Sequence, residues 1–241
     1  MTDLNSLIVL IVTFITSALT LLTGFGVGTV LTPTFAFFYD TKTAVFLVSI
    51  VHLANNLLKV GLFRAHINKE ILIKFGAVSL VGAIVGSFLQ NAVPGEYVRS
   101  ALAVFLILAG GAEFIPSASK IKIPRSFDFI GGFFSGFLGG MIGNQGAIRS
   151  AYLLNYELSK EAFIATATAI AIVIDLTRIP VYLYSRMDKL ESTAGPLLVV
   201  IVIAFAGTFV GKALLKKISL ERFRMIVAAF LVLMGAALFV A

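Results

Sequence analysis

The sequence predicts an all-α, polytopic membrane protein, and three observations carry that prediction. Of 241 residues, 59% are hydrophobic and only 13% are charged, against ~25% charged in a soluble domain. The mean hydropathy is +1.02. The apolar residues also fall in long runs, near the ~20 residues that cross a bilayer as a helix. A chain this poor in charge cannot cover a soluble globule, and the same numbers exclude intrinsic disorder. No Cys is present, which removes disulfides, thiol nucleophiles and cysteine metal sites together. With two His and 12 acidic residues, a multi-ligand metal centre lacks material, so no metal, cofactor or catalytic residue is assigned. The net charge of +7 points to basic cytoplasmic loops rather than to nucleic acid. Asp3 and no Lys or Arg precedes the first apolar run, unlike the basic start of a signal peptide. The whole chain, 1–241, is read as one membrane domain.

Eight apolar segments can be drawn: 7–38, 43–63, 71–89, 98–115, 127–155, 161–185, 193–215 and 223–241. Six have the length of a single span. The first and fifth are too long, since 32 helical residues would reach ~48 Å against a ~30 Å hydrocarbon core. Both contain glycine clusters: Thr23-Gly24-Phe25-Gly26-Val27-Gly28-Thr29 followed by Pro33, and Gly139-Gly140-Met141-Ile142-Gly143-Asn144-Gln145-Gly146. Glycine permits non-helical dihedrals, so segments 1 and 5 are predicted to be broken or re-entrant inside the membrane.

The second half repeats the first. Lys42-Thr-Ala44 matches Lys160-Glu-Ala162, and Gly82-x-x-x-Gly86 matches Gly207-x-x-x-Gly211. Residues 96–112 align with 221–237 without gaps and share 8 of 17 positions, including Glu96/Glu221 and Arg99/Arg224. Small apolar residues coincide by chance in membrane sequences, whereas a paired Glu-x-x-Arg at equal offset does so less readily. This predicts a 4+4 repeat, with halves 1–115 and 127–241 joined by a basic loop, 116–126. Paired broken segments at matching positions of two repeats point to a transporter binding site.

Loop charge then orients the halves. Setting aside Lys59, Arg149 and Arg178, which lie inside apolar segments, 16 basic residues remain. Eight full crossings divide them evenly. If segments 1 and 5 each enter and return, Lys42, Arg99, Arg186 and Lys189 share the side of the termini, and 12 lie opposite. Only an uneven division obeys the positive-inside rule. Folding back segment 5 alone also gives 12 to 4, with the termini inside, but the repeat argues against treating the halves differently. With both folded back, each half has an odd number of crossings, so the halves are predicted to be inverted, with both termini outside the cytoplasm and the protein in the cell (inner) membrane.

Charged groups at membrane depth are expensive and face a cavity or a partner. In segment 2, Ser49, His52, Asn56 and Lys59 form one helical stripe flanked by Asn55. The repeat sets Thr168, Asp175 and Arg178 opposite Ser49, Asn56 and Lys59. Such stripes also serve as helix–helix glue, Lys59 can snorkel to headgroups, and Asp175 and Arg178, three apart, can neutralise each other. Arg149 is sharper, because it follows the second glycine cluster. A half-helix starting near Ala147 would aim free N–H groups and its positive dipole end at the break. Asn144, Gln145 and Gly146 add amide donors and space. Thr23 and Thr29 flank the equivalent break, where Gly26 and Gly28 lie. The substrate-binding candidates are therefore Thr23, Gly26, Gly28, Thr29, Asn144, Gln145, Gly146, Arg149, Asn56, Lys59 and Arg178, with His52 and Asp175 as candidate proton carriers. The competing reading pairs Arg149 with Asp175 or a lipid phosphate. The Gly82/86 and Gly207/211 pairs read as close-packing sites, and the two Glu-x-x-Arg pairs as ion pairs at helix starts.

These features resemble the TauE/SafE family of sulfite exporters. Gly24-Phe-Gly-Val-Gly28 with Pro33 is similar to that family's glycine-rich stretch and downstream proline, and Ser135-Gly136-Phe137-Leu138-Gly139-Gly140 to the opening of its second half. The sequence departs from the pattern at Gly143-Asn-Gln-Gly146 and at Ala151, where a proline is common. The resemblance implies a permease for sulfur-containing anions such as sulfite or organosulfonates. Its partners would be a small anion, the lipid bilayer and, for coupling, protons. An anion channel or a carboxylate transporter would use the same site. No Gly-x-x-x-x-Gly-Lys-Ser/Thr loop is present for ATP binding. A serine or zinc protease motif is likewise missing, so an enzyme is not expected.

Overall fold

The computed structural model describes residues 3–23, 26–115, 124–214 and 220–240, but not the side chains of 3, 21–23, 214 and 220–224. Among these residues the regular structure is entirely helical. The helices are α1 (Asp3–Thr23), α2 (Val27–Ala36), α3 (Thr41–Phe63), α4 (Lys69–Ala92), α5 (Gly95–Glu113), α6 (Asp128–Ile142), α7 (Gly146–Leu153), α8 (Lys160–Leu214) and α9 (Leu220–Val240). Four helical stretches, Thr41–His66, Lys69–Ala92, Gly95–Glu113 and Lys160–Ala213, are long and apolar enough to cross a membrane. The protein is a polytopic, all-helical membrane protein.

Local chemistry sets the helix ends. The Asp40 carboxylate accepts from Thr43 N–H at 3.1 Å and starts α3, while Asn68 accepts from Ile71 N–H at 3.1 Å and starts α4. Both are N-cap contacts that satisfy otherwise orphaned donors. Gly143 ends α6 in the left-handed region (φ 77°), its N–H donating to Gly139 C=O, as a glycine stop requires. Gly26, just before α2, has φ 81° and ψ 152°, a conformation all but restricted to glycine.

Segments 6 and 7 of the sequence are two helical limbs of α8 that meet at Arg186 (φ −141°, ψ 28°), the non-helical residue of the turn between them. Ile164 on the first limb and Lys212 on the second both reach Phe63, so the limbs run side by side. No Gly or Pro lies between Pro180 and Gly195 to stop the helix, and Arg186 is held instead by Asn91 Oδ1 at 2.7 Å. The two limbs are ~40 Å each by helical rise, so each retains the length of a span. The expected Glu96–Arg99 ion pair does not form among the described residues. Glu96 is exposed at the start of α5, where solvation competes with a weak surface pair. The side chains of Glu221 and Arg224 lie outside the described residues.

Polarity is inverted relative to a soluble protein. On α4, Leu80, Val81, Ile84, Val85 and Phe88 are exposed, while Ser79, Ser87 and Gln90 are buried. Lipid solvates the outer face, so helix association relies on close packing and interhelical hydrogen bonds. Glycines supply the closeness. A Cβ at Gly82 or Gly86 would overlap the α6 backbone at Phe133 and Phe137, and one at Gly207 or Gly211 would overlap α1 at Phe14 and Ala18. Gly136 and Gly140 meet the α4 carbonyls of Ser79 and Ala83 in return. α5 and α9 pack reciprocally: a Cβ at Gly110 would lie 2.7 Å from Ala228 O, and one at Gly235 would lie 2.8 Å from Ala103 O. The glycine pairs read as packing sites in the sequence are packing sites in the fold.

Contacts at the two ends of the bundle fix how the short helices run. Phe35 and Tyr39, at the end of α2, line one cavity with Ser6, Val9 and Leu10 of α1 and with Thr193 and Pro196 of α8. At the opposite end, Tyr156, just after α7, donates to Asp128 at the start of α6 and carries Arg125 4.6 Å above its ring. Asn68 N–H bonds Thr166 Oγ1 beside them at 2.9 Å. The end of α2 thus lies near the start of α1, and Tyr156, just after α7, near the start of α6.

Candidate functional site

The α1–α2 and α6–α7 junctions meet in the interior. The Cβ position of Gly28 lies 3.2 Å from Gly143 O, and that of Gly143 lies 3.1 Å from Thr32 Oγ1. The Cβ position of Gly26 is 3.3 Å from His52 Nε2 and 3.9 Å from an Arg149 terminal nitrogen. Glycine is needed here for close approach as well as for its dihedrals. α2 begins at Val27 and α7 at Gly146, so two helix N-termini, one from each half, open onto the same spot.

The surrounding side chains are polar and sealed. Asn144, Gln145, Arg149, His52, Asn56 and Lys59 are each no more than 4% exposed. Several of their polar atoms have no partner among the described residues: Asn144 Oδ1, both amide atoms of Gln145, and Nε and Nη1 of Arg149. An unmade hydrogen bond on a buried group is costly, the more so when the group is charged. These unpartnered donors and acceptors cluster beside the N-termini of α2 and α7.

Asp175 organises a second layer. Its Oδ2 lies 2.7 Å from His52 Nδ1, and its Oδ1 accepts from Arg178 Nε at 3.0 Å and Nη2 at 2.8 Å. Arg178 Nη1 donates to Gly139 O at 2.6 Å, and the Tyr182 hydroxyl donates to Gly140 O. Both carbonyls belong to the last turn of α6, where a cation complements the helix dipole. The paired reading of Asp175 and Arg178 is the arrangement found, and neither partner of Asp175 is Arg149. Asn56 Nδ2 lies 3.1 Å from His52 Nδ1.

A model of the family described as sulfite exporter TauE/SafE matches residues 9–238. The chain belongs to the TauE/SafE family. A comparison with curated proteins found no match. As a TauE/SafE protein with long apolar helices, it is a multi-pass membrane transport protein. Among its described residues no group of three or more His, Cys, Asp or Glu gathers as a metal cluster would.

Of the candidates named from the sequence, the fold brings Gly26, Gly28, Asn144, Gln145, Gly146, Arg149, His52 and Asn56 to one place. Thr29 is buried on the first turn of α2. Lys59 lies two helical turns beyond His52 on α3, and Arg178 bonds both Asp175 and Gly139 O in the last turn of α6. The side chain of Thr23 lies outside the described residues. Sequence reasoning missed Tyr182 and Thr32. Tyr182 had a legible signal, four residues after Arg178 and on the same face. Thr32 had none, because its neighbour Gly143 comes from the other half of the chain.

Proposed function

We propose that this TauE/SafE protein is a secondary transporter for small sulfur-containing anions, such as sulfite or organosulfonates. The anion binds between the N-termini of α2 and α7, and alternating access carries it across the cell (inner) membrane. One observation carries the reading: the unpartnered, buried guanidinium of Arg149 lies beside Gly26, where two helix N-termini meet. N–H groups at helix ends and a guanidinium fork suit an oxyanion with its charge spread over several oxygens. Arg149 is the principal ligand, with backbone N–H groups at Gly28 and Gly146 and the amides of Asn144 and Gln145 around it. Asp175 orients His52, whose Nε2 faces Gly26, as the group that exchanges a proton with the site. Arg178 positions Asp175 and the end of α6.

The architecture we infer is a 4+4 inverted repeat with segments 1 and 5 broken and re-entrant. The reciprocal glycine contacts support it. Phe14 and Ala18, which receive Gly207 and Gly211, stand at the same offset from Phe133 and Phe137 as Asn56 does from Asp175. With both termini outside the cytoplasm, a Cys placed at either terminus of this naturally Cys-free chain should be labelled from outside. Labelling only from the cytoplasmic side would refute the inversion.

Flux into proteoliposomes, measured with a panel of sulfur oxyanions and carboxylates, tests the function. Sulfur oxyanions should exchange by counterflow. Carboxylate flux alone would reassign the substrate, and uncoupled conductance without counterflow would make the protein a channel.

A further inference from the structure

We infer that the anion this site is built to carry is a dianion, an inference that rests on the transporter reading above. Asp175 and Arg178 neutralise each other, with Nε and Nη2 of Arg178 both on Oδ1 at 3.0 and 2.8 Å. Arg186, also buried, lies at the turn of α8 against Asn91. Arg149 and Lys59 are the remaining buried cations among the described residues. Arg149 is 3% exposed and Lys59 is 4% exposed. Neither forms a salt bridge with a described carboxylate, whereas the exposed lysines 74 and 189 do.

Lys59 lies in the field of Arg149, and like charges held together in a low-dielectric interior repel. The carboxylate in the field of Arg149, Asp175, is already bonded to His52 and Arg178. A single negative charge on Arg149 would leave Lys59 buried and uncompensated. A ligand with two negative charges, lying between the helix junctions and Lys59, neutralises both cations. His52 and Lys59 are seven residues apart on α3, ~10 Å along the axis, and the four-carbon lysine stem reaches back over part of that distance. A protonated His52 would add a third positive charge and favour the dianion further.

The test compares matched pairs on purified, monodisperse protein at neutral pH by titration calorimetry: sulfate against methanesulfonate, and 1,2-ethanedisulfonate against ethanesulfonate. Within at least one pair the dianion should bind roughly tenfold or more tightly than its monoanion. Lys59→Gln should remove that preference by weakening the dianion while leaving the monoanion within about threefold. Lys59→Arg should keep the preference, and Arg149→Gln should weaken both classes. Equal wild-type affinity for both classes overturns the dianion inference and leaves the transporter reading standing, as does equal weakening of both classes by Lys59→Gln. Binding of neither class overturns the transporter reading itself.

Discussion

The α1–α2 and α6–α7 junctions face each other across the interior, yet they contribute different things. The first presents Gly26 and Gly28 with bare backbone and no charged side chain. The second presents Asn144, Gln145 and, one turn into α7, Arg149. Gly28 lies against Gly143, so each junction also sets how close the other can come. The two junctions therefore carry different chemistry. One presents bare backbone and helix N–H groups, and the other adds a buried charge, which on the proposed reading would select for anions.

If the second junction holds the charge, Arg149→Ala should have the largest effect. Truncating one partner of a buried charged contact costs on the order of 2–5 kcal/mol, or ~30- to several-thousand-fold in affinity. Arg149→Lys should lose less, since it keeps the charge and forfeits only the fork. Adding Asp175→Ala to Arg149→Ala should not restore binding, because Asp175 bonds His52 and Arg178. Wild-type affinity in that double mutant would return Arg149 to the role of a counter-ion.

Next in size are the glycines that let α4 and α6 touch. Gly136→Ala and Gly86→Ala would drive a methyl into backbone carbonyls. Overpacking of this kind costs about 1–3 kcal/mol, and more where backbone must move. Thermal unfolding in detergent should show a clear drop for both. Wild-type stability in either would mean that the helices pack less tightly than the contacts require.

At the first junction, Gly26→Ala places a side chain at φ 81°, 3.3 Å from His52 Nε2. The strain is about 1–3 kcal/mol, with stability and anion affinity falling together. Gly28→Leu should abolish transport while membrane insertion is retained, since a large side chain there meets Gly143. Normal flux through Gly28→Leu would remove the first junction from the site.

The smallest effects belong to glycines with open surroundings. A Cβ at Gly95 or Gly111 has nothing within 4 Å. Alanine at either position should change the unfolding temperature little, within the ~0.5 kcal/mol typical of surface substitutions. A large loss there would show that glycine content itself, and not close approach, sustains the fold.

The helical membrane class, the positions of the two junctions and the residues most worth suspecting were legible in the chain. Hydropathy and glycine clustering are local properties, and a buried charge announces itself wherever it interrupts an apolar run. The sharpness of the turn between the two limbs of α8 was not legible, because the polar stretch around Arg186 looks like a longer loop until Asn91 is known to hold it. The partner of Asp175 was likewise undecided. Arg149 and Arg178 were both plausible, and spacing alone favoured Arg178 without excluding the other.

Sequence by itself determined that this chain belongs in a bilayer, and it marked the glycine clusters of the first and fifth segments and the charge of Arg149 as the features to explain. Those conclusions depend on transfer energies and backbone dihedrals, which each short stretch of chain carries with it. Tertiary structure alone decided that Gly26 lies near Arg149 and Gly28 near Gly143, that His52 and Arg178 share Asp175, and that Arg149 and Lys59 form no salt bridge among the described residues. These are distances between residues far apart in the chain. They are set by how helices without side-chain bulk settle against one another, and no local pattern encodes them.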